Sequence, residues 1–452
     1  MSITPARRAA FEILRRVQEE GVHSSALMDS FESRLKSDDR ALCHELVLGV
    51  LRRQLWLDRV LEHVADRAVG KIDLPARIAL RLGLYQLRFL SRIPASAAVN
   101  ESVNLVRASR VKSAAGFVNA ILRRVASEPD YDPAEGILDD VEKLSIETSH
   151  PRWLIDRWIA AFGANETAAL ARANNNQAPT AFRLTAKSLR EGSATKIISE
   201  LEAAGVVFRS RVAPGAWRLK RENADHDRIA SNPSAQIRKL AAEGSIYLQD
   251  EASQLVAHLL GVREGDRVID LCAAPGSKTT QIGALVRTAL IFAGDRDQRR
   301  LQTLRSLSSL QGITYLNLVV HDAASSLPFT QASFDRVLAD VPCSGTGTLR
   351  QNPEIRWRLR PDDFAALSLR QSHILKNAAG LVRRGGTLIY STCSVEPDEN
   401  ELVVDRFLAE HTEFEKLELT ASPDLLDQSG GVRTWPHRHD TDGFFITALR
   451  RC

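Results

Sequence analysis

Several residue types are scarce in this chain, and each scarcity excludes a class of protein. Cysteine occurs five times in 452 residues, at positions 43, 272, 343, 393 and 452. The five are scattered, no metal-type CxxC pair exists, and an odd number does not make a secreted disulfide framework. No apolar run approaches the roughly 18 residues of a membrane span. The N-terminus, MSITPARRAAFEILRRV, lacks the apolar core of a signal peptide and reads as an amphipathic helix. Two histidines in HRHD (437–440) have no clear third ligand beside them and read as a loop. The expectation is a cytoplasmic protein, a monomer, with no membrane segment and no metal. Lysine is also scarce, 11 against 49 arginines.

The net charge of +4 conceals an asymmetry. Residues 1–125 hold 21 Lys and Arg against 13 Asp and Glu, a balance of +8, which leaves −4 for the rest. A basic N-terminal third fits a polyanion partner or a solvated helical surface. That third reads as helical throughout. In ARRAAFEILRRV, Phe11, Leu14 and Val17 recur at helical spacing, and ALCHELVLGVLRRQLWLDRVLEHV and ARIALRLGLYQLRFL repeat the pattern. SRIPAS breaks the series, and Asn100 or Ser102 is expected to start the next helix before GFVNAILRRV. The result is an all-α bundle over 1–130.

SEPDYDPAEG (127–136) reads as a linker or surface loop. HPRWLIDRWIAAFG starts a helix near Pro151, with Leu154, Trp158, Ile155 and Ile159 as a core stripe. TAFRLTA and GAWRLK read as strands and ATKIISELEAAG as a helix, so 140–240 forms a small mixed α/β domain. From 245 to 452 the pattern becomes strand, loop, helix. RVIDLCAAP, ALIFAGDRD, LNLVVHDA, FDRVLADVP and GTLIYSTC are five strands, and FEKLEL and GFFITALRR two more. This alternation predicts a doubly wound α/β sheet, whose ligands bind beyond the carboxyl ends of the strands.

The residues that can carry chemistry fall at those ends. DLCAAPGSKTT follows the first strand, with small residues Ala273, Ala274 and Gly276 that let backbone approach a ligand. It is not a Walker loop, because the position needing the first glycine is Leu271. Asp295 ends the second strand, where an acid can accept both hydroxyls of a ribose, and Asp322 ends the third, where it can hold an adenine edge or support the loop. A nucleoside cofactor without a phosphate cluster fits, and S-adenosylmethionine is the candidate. Asp340 ends the fourth strand ahead of Cys343, and Cys393 ends the fifth. Strands four and five are expected to be neighbours, so both sulfurs open into one crevice.

Two thiols beside such a cofactor suit methylation of cytosine at carbon 5. That carbon is a poor nucleophile until a thiolate adds to carbon 6, with a proton shared at N3. After transfer, the carbon-5 proton leaves and the thiol is eliminated. A helix expected from about Glu396-Pro397 would place its positive end near Cys393 and favour the thiolate.

DLCAAPGSKTT, DVPCSGTGTLRQNPEIRW, YSTCSVEPDENE and DGFF resemble the motif set of the RNA cytosine-C5 methyltransferases, the NOL1/NOP2/Sun family, over residues 145–452. The segments AAFEILRRV, RIALRLGLYQLRFL, IPASAAVNESVNLVR and FVNAILRRV resemble the NusB-like RNA-binding domain, a combination found in bacterial 16S rRNA members. The resemblance implies a NusB-like bundle, an RRM-like middle domain and a Rossmann-like S-adenosylmethionine-dependent methyltransferase domain. It implies that Cys393 attacks the base and Cys343 assists product release. It further implies that Cys272, Ala273, Ala274, Pro275, Gly276, Ser277 and Lys278 contact the methionine end of the cofactor. Asp295 would then bind the ribose, Asp322 the adenine side, and Asp340 the transfer region and target base. Its substrate would be 16S rRNA or a small-subunit precursor. Transfer RNA, or an RNA-binding scaffold with an inactive catalytic domain, are the alternatives, and the presence of both cysteines and every acid speaks against the scaffold.

Overall fold

The computed structural model describes residues 3–32, 34–220 and 235–452. The chain forms two compact units, one built from residues up to Gln177 with Leu349–Arg358, the other from Ala178–Lys220, the chain up to Thr348, and Leu359–Cys452.

The first unit is helical. Pro5 opens its first helix, Pro5–Glu20, where a missing N–H costs nothing, and Gly21 closes it at φ 66°. Ala6, Ala10, Ile13, Leu14 and Val17 bury one face of that helix while Arg15 and Arg16 pair with Glu12, Glu19 and Glu20 on the other. Leu46, Leu57, Leu61, Leu80, Leu82 and Leu122 join the same core. Burying each such side chain contributes ~1.5–3 kcal/mol. The helix expected from Asn100 or Ser102 starts earlier, at Ala95, because Pro94 supplies the N-cap and Ser102 points into the core. Residues 127–136 contain no helix or strand beyond Ser127, as a loop should, but they are tied down: Tyr131 stacks on His63 and Asp132 accepts from the Trp56 indole. Leu154, Ile155 and Trp158 are fully buried on the helix Arg152–Phe162, whereas Ile159 is half-buried.

The segment Leu349–Arg358 completes this unit. Arg356 is fully buried and donates to the carbonyls of Thr148, Ser149 and Asn174 and to Asn175 Oδ1. Glu354 accepts from the backbone N–H and hydroxyl of Ser24. The Trp357 indole donates to the Leu51 carbonyl at 3.0 Å.

The second unit holds two sheets. Strands β1 (Ala181–Leu184), β2 (Val207–Arg209), β3 (Ala216–Leu219) and β4 (Ile246–Leu248) pair antiparallel in the order β2-β3-β1-β4. Helices Ala194–Ala203 and Ala235–Ala242 fill the βαββαβ pattern. Residues 221–234, which fall in the expected middle domain, lie outside the described residues.

The larger sheet contains β5 (Arg267–Asp270), β6 (Leu290–Asp295), β7 (Asn317–Val320), β8 (Phe334–Asp340), β9 (Val382–Thr392), β10 (Phe414–Leu417), β11 (Val432–Arg433) and β12 (Phe445–Arg451). Its order is β10-β12-β9-β8-β5-β6-β7, with β11 on β12. Strands β5 to β9 are mutually parallel, as a doubly wound sheet requires, while β12 runs antiparallel to β9. All seven strands read from the sequence are present. Strands β8 and β9 are neighbours, and the chain order reverses beside β5. Arg183 of β1, fully buried, ties the small sheet to the large one through Gln249, the Thr280 hydroxyl and the Ser277 carbonyl.

Candidate active site

Parallel pairing sets Asp340 opposite Ser391, so the loops leaving β8 and β9 emerge side by side. They carry Cys343 and Cys393, and the two sulfurs lie 3.3 Å apart. Glycine makes this closure possible. The Gly347 N–H donates to the Cys393 carbonyl at 3.0 Å, and the Gly443 N–H donates to the Gly347 carbonyl at 2.8 Å. A Cβ on Gly347 would stand 2.0 Å from the Gly443 carbonyl oxygen, so three backbones meet where only glycine fits.

Asp340 is held on both oxygens. Oδ1 accepts from the Ser391 hydroxyl at 2.8 Å and Oδ2 from Lys278 Nζ at 2.6 Å. Burial opposes the lysine's charge, but Asp340 outweighs it and Lys278 stays above its ordinary pKa. Its ammonium also lies 5.2 Å from the centre of the Phe444 ring, from the DGFF segment.

A cleft of about 520 Å³ opens at these strand ends, a size suited to a nucleoside-sized ligand. Of the residues singled out from sequence, Cys272, Ala274, Asp295, Asp322, Asp340, Cys343 and Cys393 line it. Ala273 is buried beneath it, its N–H on the Gly294 carbonyl. Pro275, Gly276 and Ser277 build the turn and are not on the cleft wall; Gly276 caps the helix Ser277–Leu285 at φ 116°. Lys278 turns toward Asp340 instead of the cleft wall.

Asp295 is buried at the tip of β6, where it accepts from the Asp297 N–H and pairs with Arg300. Asp322 accepts from the Ala324 N–H and from Arg370, which together hold its carboxyl below the usual range. Burial, then the charges of Asp270, Asp340 and Asp295, pushes the Cys272 thiol up, so that thiol is a poor nucleophile. The Cys343 thiol is also pushed up, first by its hydrogen bond to Cys393, then by burial, the Cys393 charge and Glu399.

The expected helix start at Glu396-Pro397 is a correction. Pro397–Glu399 is a single 3-10 turn, and the α-helix begins at Glu401. The Glu399 carbonyl is taken by the Tyr390 hydroxyl at 2.6 Å, which interrupts the helical ladder. One short turn carries little dipole, so Cys393 does not sit at a helix N-terminus. The two histidines of HRHD lie in the one-turn helix Pro436–His439, where His439 accepts from the Trp435 N–H.

The sequence reading assigned no role to several residues on or behind the cleft. His321 lines it, buried, and neither ring nitrogen makes a hydrogen bond of normal geometry. Burial lowers its pKa, so the ring is neutral at pH 7. Its neighbour Asp322 was the only signal. Arg370 and Ile374 come from the helix Asp363–Leu381, which has no motif. Glu399 lay inside a quoted motif, but nothing marked it as buried.

These features match known proteins. A family model described as 16S rRNA methyltransferase RsmB/F matches residues 257–450, a NusB family model 4–127, and the ferredoxin-like domain model of RsmF/B-like methyltransferases 150–224. The probable ribosomal RNA small subunit methyltransferase B of Synechocystis sp. is 36% identical, with 99% of each chain covered. This chain belongs to the RsmB/F methyltransferase family. A further relative in Bacillus subtilis, also a probable ribosomal RNA small subunit methyltransferase B, is 31% identical over 100% of both chains. The crystal structure of a methyltransferase homolog protein from Pyrococcus horikoshii is 26% identical, with a TM-score of 0.56 over 70% of this chain and 100% of that one.

The protein is therefore an RNA methyltransferase, and its methyl donor is S-adenosylmethionine. The cleft fits that donor. Asp295 is a buried carboxylate on its wall, of the kind that can accept from paired hydroxyls, His321 has unpartnered ring nitrogens, and Cys272 and Ala274 line it beside them. Among the described residues no helix is long and apolar enough to cross a membrane, and no group of three or more His, Cys, Asp and Glu could hold a metal.

Proposed function

We propose that this methyltransferase modifies carbon 5 of a cytosine in 16S rRNA, with Cys393 as nucleophile and Cys343 assisting release. The observation that carries the reading is the pair of sulfurs 3.3 Å apart beside the Lys278–Asp340 ion pair. S-adenosylmethionine supplies a methyl group on a positively charged sulfur. Cys393 bonds to carbon 6 of the base as a thiolate. Asp340, fixed by Lys278 and Ser391, meets the polar edge of the ring and relays to N3, as the sulfur adds, a proton drawn from the Lys278 ammonium, which returns when the sulfur leaves. Carbon 5 then takes the methyl, its proton leaves, and the carbon 6–sulfur bond breaks to restore the ring and the Cys393 thiolate. Bonding of Cys393 to the base removes the charge that shares the Cys343 proton. Cys343 can then give its proton to solvent in the open cleft and, as a thiolate, take the carbon-5 proton as it leaves.

Cys272, Ala273, Ala274, Pro275, Gly276, Ser277 and Lys278 form or back the cofactor's methionine end, with Asp295 at the ribose and Asp322 at the adenine side. The curated relatives are named for the ribosomal small subunit, which favours rRNA over tRNA. The +8 balance over residues 1–125 supplies phosphate contacts. We divide the chain into an RNA-binding domain (1–130), a small middle domain (140–240) and the catalytic domain (245–452), acting as a cytoplasmic monomer. The test is methylation of 16S rRNA by purified protein, read by bisulfite sequencing. One protected cytosine is expected; methyl groups found only on tRNA, or at a ring position other than carbon 5, would refute it.

A further inference from the structure

The two cysteine loops are bolted together from behind by one residue outside the roles above. Glu399 is fully buried. Its Oε1 accepts from the Ser344 N–H and from Gln371 Nε2, both at 2.8 Å. Its Oε2 accepts from the hydroxyls of Ser344 and Ser394, both at 2.5 Å. Ser344 follows Cys343 and Ser394 follows Cys393, so one carboxylate grips the residue after each sulfur. The two serine hydroxyls lie 3.1 Å apart, and Thr346 closes the group at 3.4 and 3.2 Å from them. Gln371 reaches on to the Pro342 carbonyl at 3.0 Å, which fixes the other side of Cys343. Four donors converging on two oxygens are what an ionised carboxylate accepts. Among the described residues no lysine or arginine forms an ion pair with it.

We propose that Glu399 is a positioning residue that sets the spacing of the two sulfurs and makes them unequal, Cys343 the donor and Cys393 the acceptor of their S–H···S contact. This rests on the assignment of the two cysteines to one reaction. A symmetric pair of thiols at this distance has no reason to place its proton on one particular sulfur. Glu399 breaks the symmetry, because three of its four hydrogen bonds fall on the Cys343 side, to the Ser344 N–H and hydroxyl and to Gln371, which holds Pro342, and only one on the Cys393 side, to Ser394; its charge adds to what pushes the Cys343 thiol up. The other ionisable groups around the pair are Asp340, whose charge is taken by Lys278, and the buried Tyr390 phenol, which stays neutral. The acceptor sulfur is thereby kept for attack, and the donor keeps its proton until Cys393 has bonded to the base.

Alkylation of each thiol in the free protein tests this without RNA. Iodoacetamide is applied across pH 6–10, and Cys343 and Cys393 are quantified by peptide mass spectrometry. In the wild type, Cys393 reacts first and Cys343 follows only at high pH. Glu399→Gln keeps the shape, and the serine hydroxyls can turn to accept from its amide, but the charge is gone. Its Cys343 profile should move to lower pH, with labelling at pH 8 faster by about tenfold, one pKa unit. Glu399→Asp keeps the charge and should leave the Cys343 profile closer to wild type than Glu399→Gln does. Ser344→Ala cuts the hydroxyl link on the Cys343 side and should narrow the gap between the thiols several-fold; it decides the matter alone should Glu399→Gln not fold. Cys343 profiles in Glu399→Gln and Ser344→Ala that superpose on the wild type would overturn the proposal. A protein that shows the predicted shifts but does not methylate cytosine would instead count against the function proposed above.

Discussion

The loops after β8 and β9 are near copies in sequence, Pro-Cys-Ser and Thr-Cys-Ser, yet they are held in opposite ways. Pro342 has no N–H to give, and its carbonyl is fixed by Gln371 from the helix Asp363–Leu381. Thr392 is fixed from the other side: its hydroxyl donates to Asn400 Oδ1 at 2.5 Å and accepts from the Ser394 N–H. Asn400 also holds the Ser394 carbonyl at 3.0 Å. The same Glu399 carboxylate reaches both loops, but with three hydrogen bonds on the Cys343 side and one on the Cys393 side. Identical chemical groups thus receive different work from the groups around them, and the tripeptide alone does not say which cysteine attacks.

The sharpest way to break this comparison is to delete each sulfur in turn. Cys393→Ala should lose turnover by on the order of 10⁴-fold or more, as nucleophile knock-outs do, and form no RNA conjugate. Cys343→Ala should accumulate a covalent protein–RNA conjugate on a denaturing gel. The reverse pattern would exchange their roles.

Next comes Lys278→Met, which removes the cation on the Cys393 side. We expect turnover to fall about 10²-fold and stability by roughly 3 kcal/mol, because Asp340 loses its buried partner. The lysine's folded pKa is raised above 10.5, so its contribution is full below that value and disappears as pH climbs through the folded one. Denaturation curves should show this alkaline loss in the wild type and not in the variant.

Smaller effects should separate the two supports. Asn400→Ala loosens only the Cys393 loop and should slow conjugate formation several-fold. Gln371→Ala loosens the Cys343 loop and should slow release by a similar factor. Single-turnover kinetics distinguish the two steps, and equal effects on both would mean the loops move as one body.

The smallest effect on the cysteines is expected from Asp295→Ala. S-adenosylhomocysteine affinity, measured by calorimetry, should drop about tenfold, the scale of a lost charge-assisted hydrogen bond, while the relative alkylation of the two thiols is unchanged.

What the sequence shows of this site follows from how local each signal is. The strand ends were legible because apolar, β-branched runs stop at Asp295, Asp340 and Cys393. Adjacency of β8 and β9 followed from general rules for such sheets. Glu399 was not legible, since its importance comes from four donors supplied by three separate elements. Lys278 was read with the cofactor turn because it lies in that turn, but its long side chain carries its charge across to β8. The helix near Cys393 was misplaced because Pro397 marks a helical first turn equally well whether the helix continues or stops after three residues. His321 gave no pattern of its own; only the bare Gly294 beneath it, where a Cβ would lie 1.9 Å from the ring, records its place.

Leu349–Arg358 also bears on how the protein is born. The carbonyls of Thr148, Ser149 and Asn174 take their donor from Arg356, 208, 207 and 182 residues further along the chain. At roughly 5–20 residues per second of translation, that donor arrives on the order of ten to forty seconds after its acceptors. The helical unit, though first to leave the ribosome, must wait with its last buried arginine missing, and a chain cut short between the two cysteines before that arginine would leave it permanently unfinished.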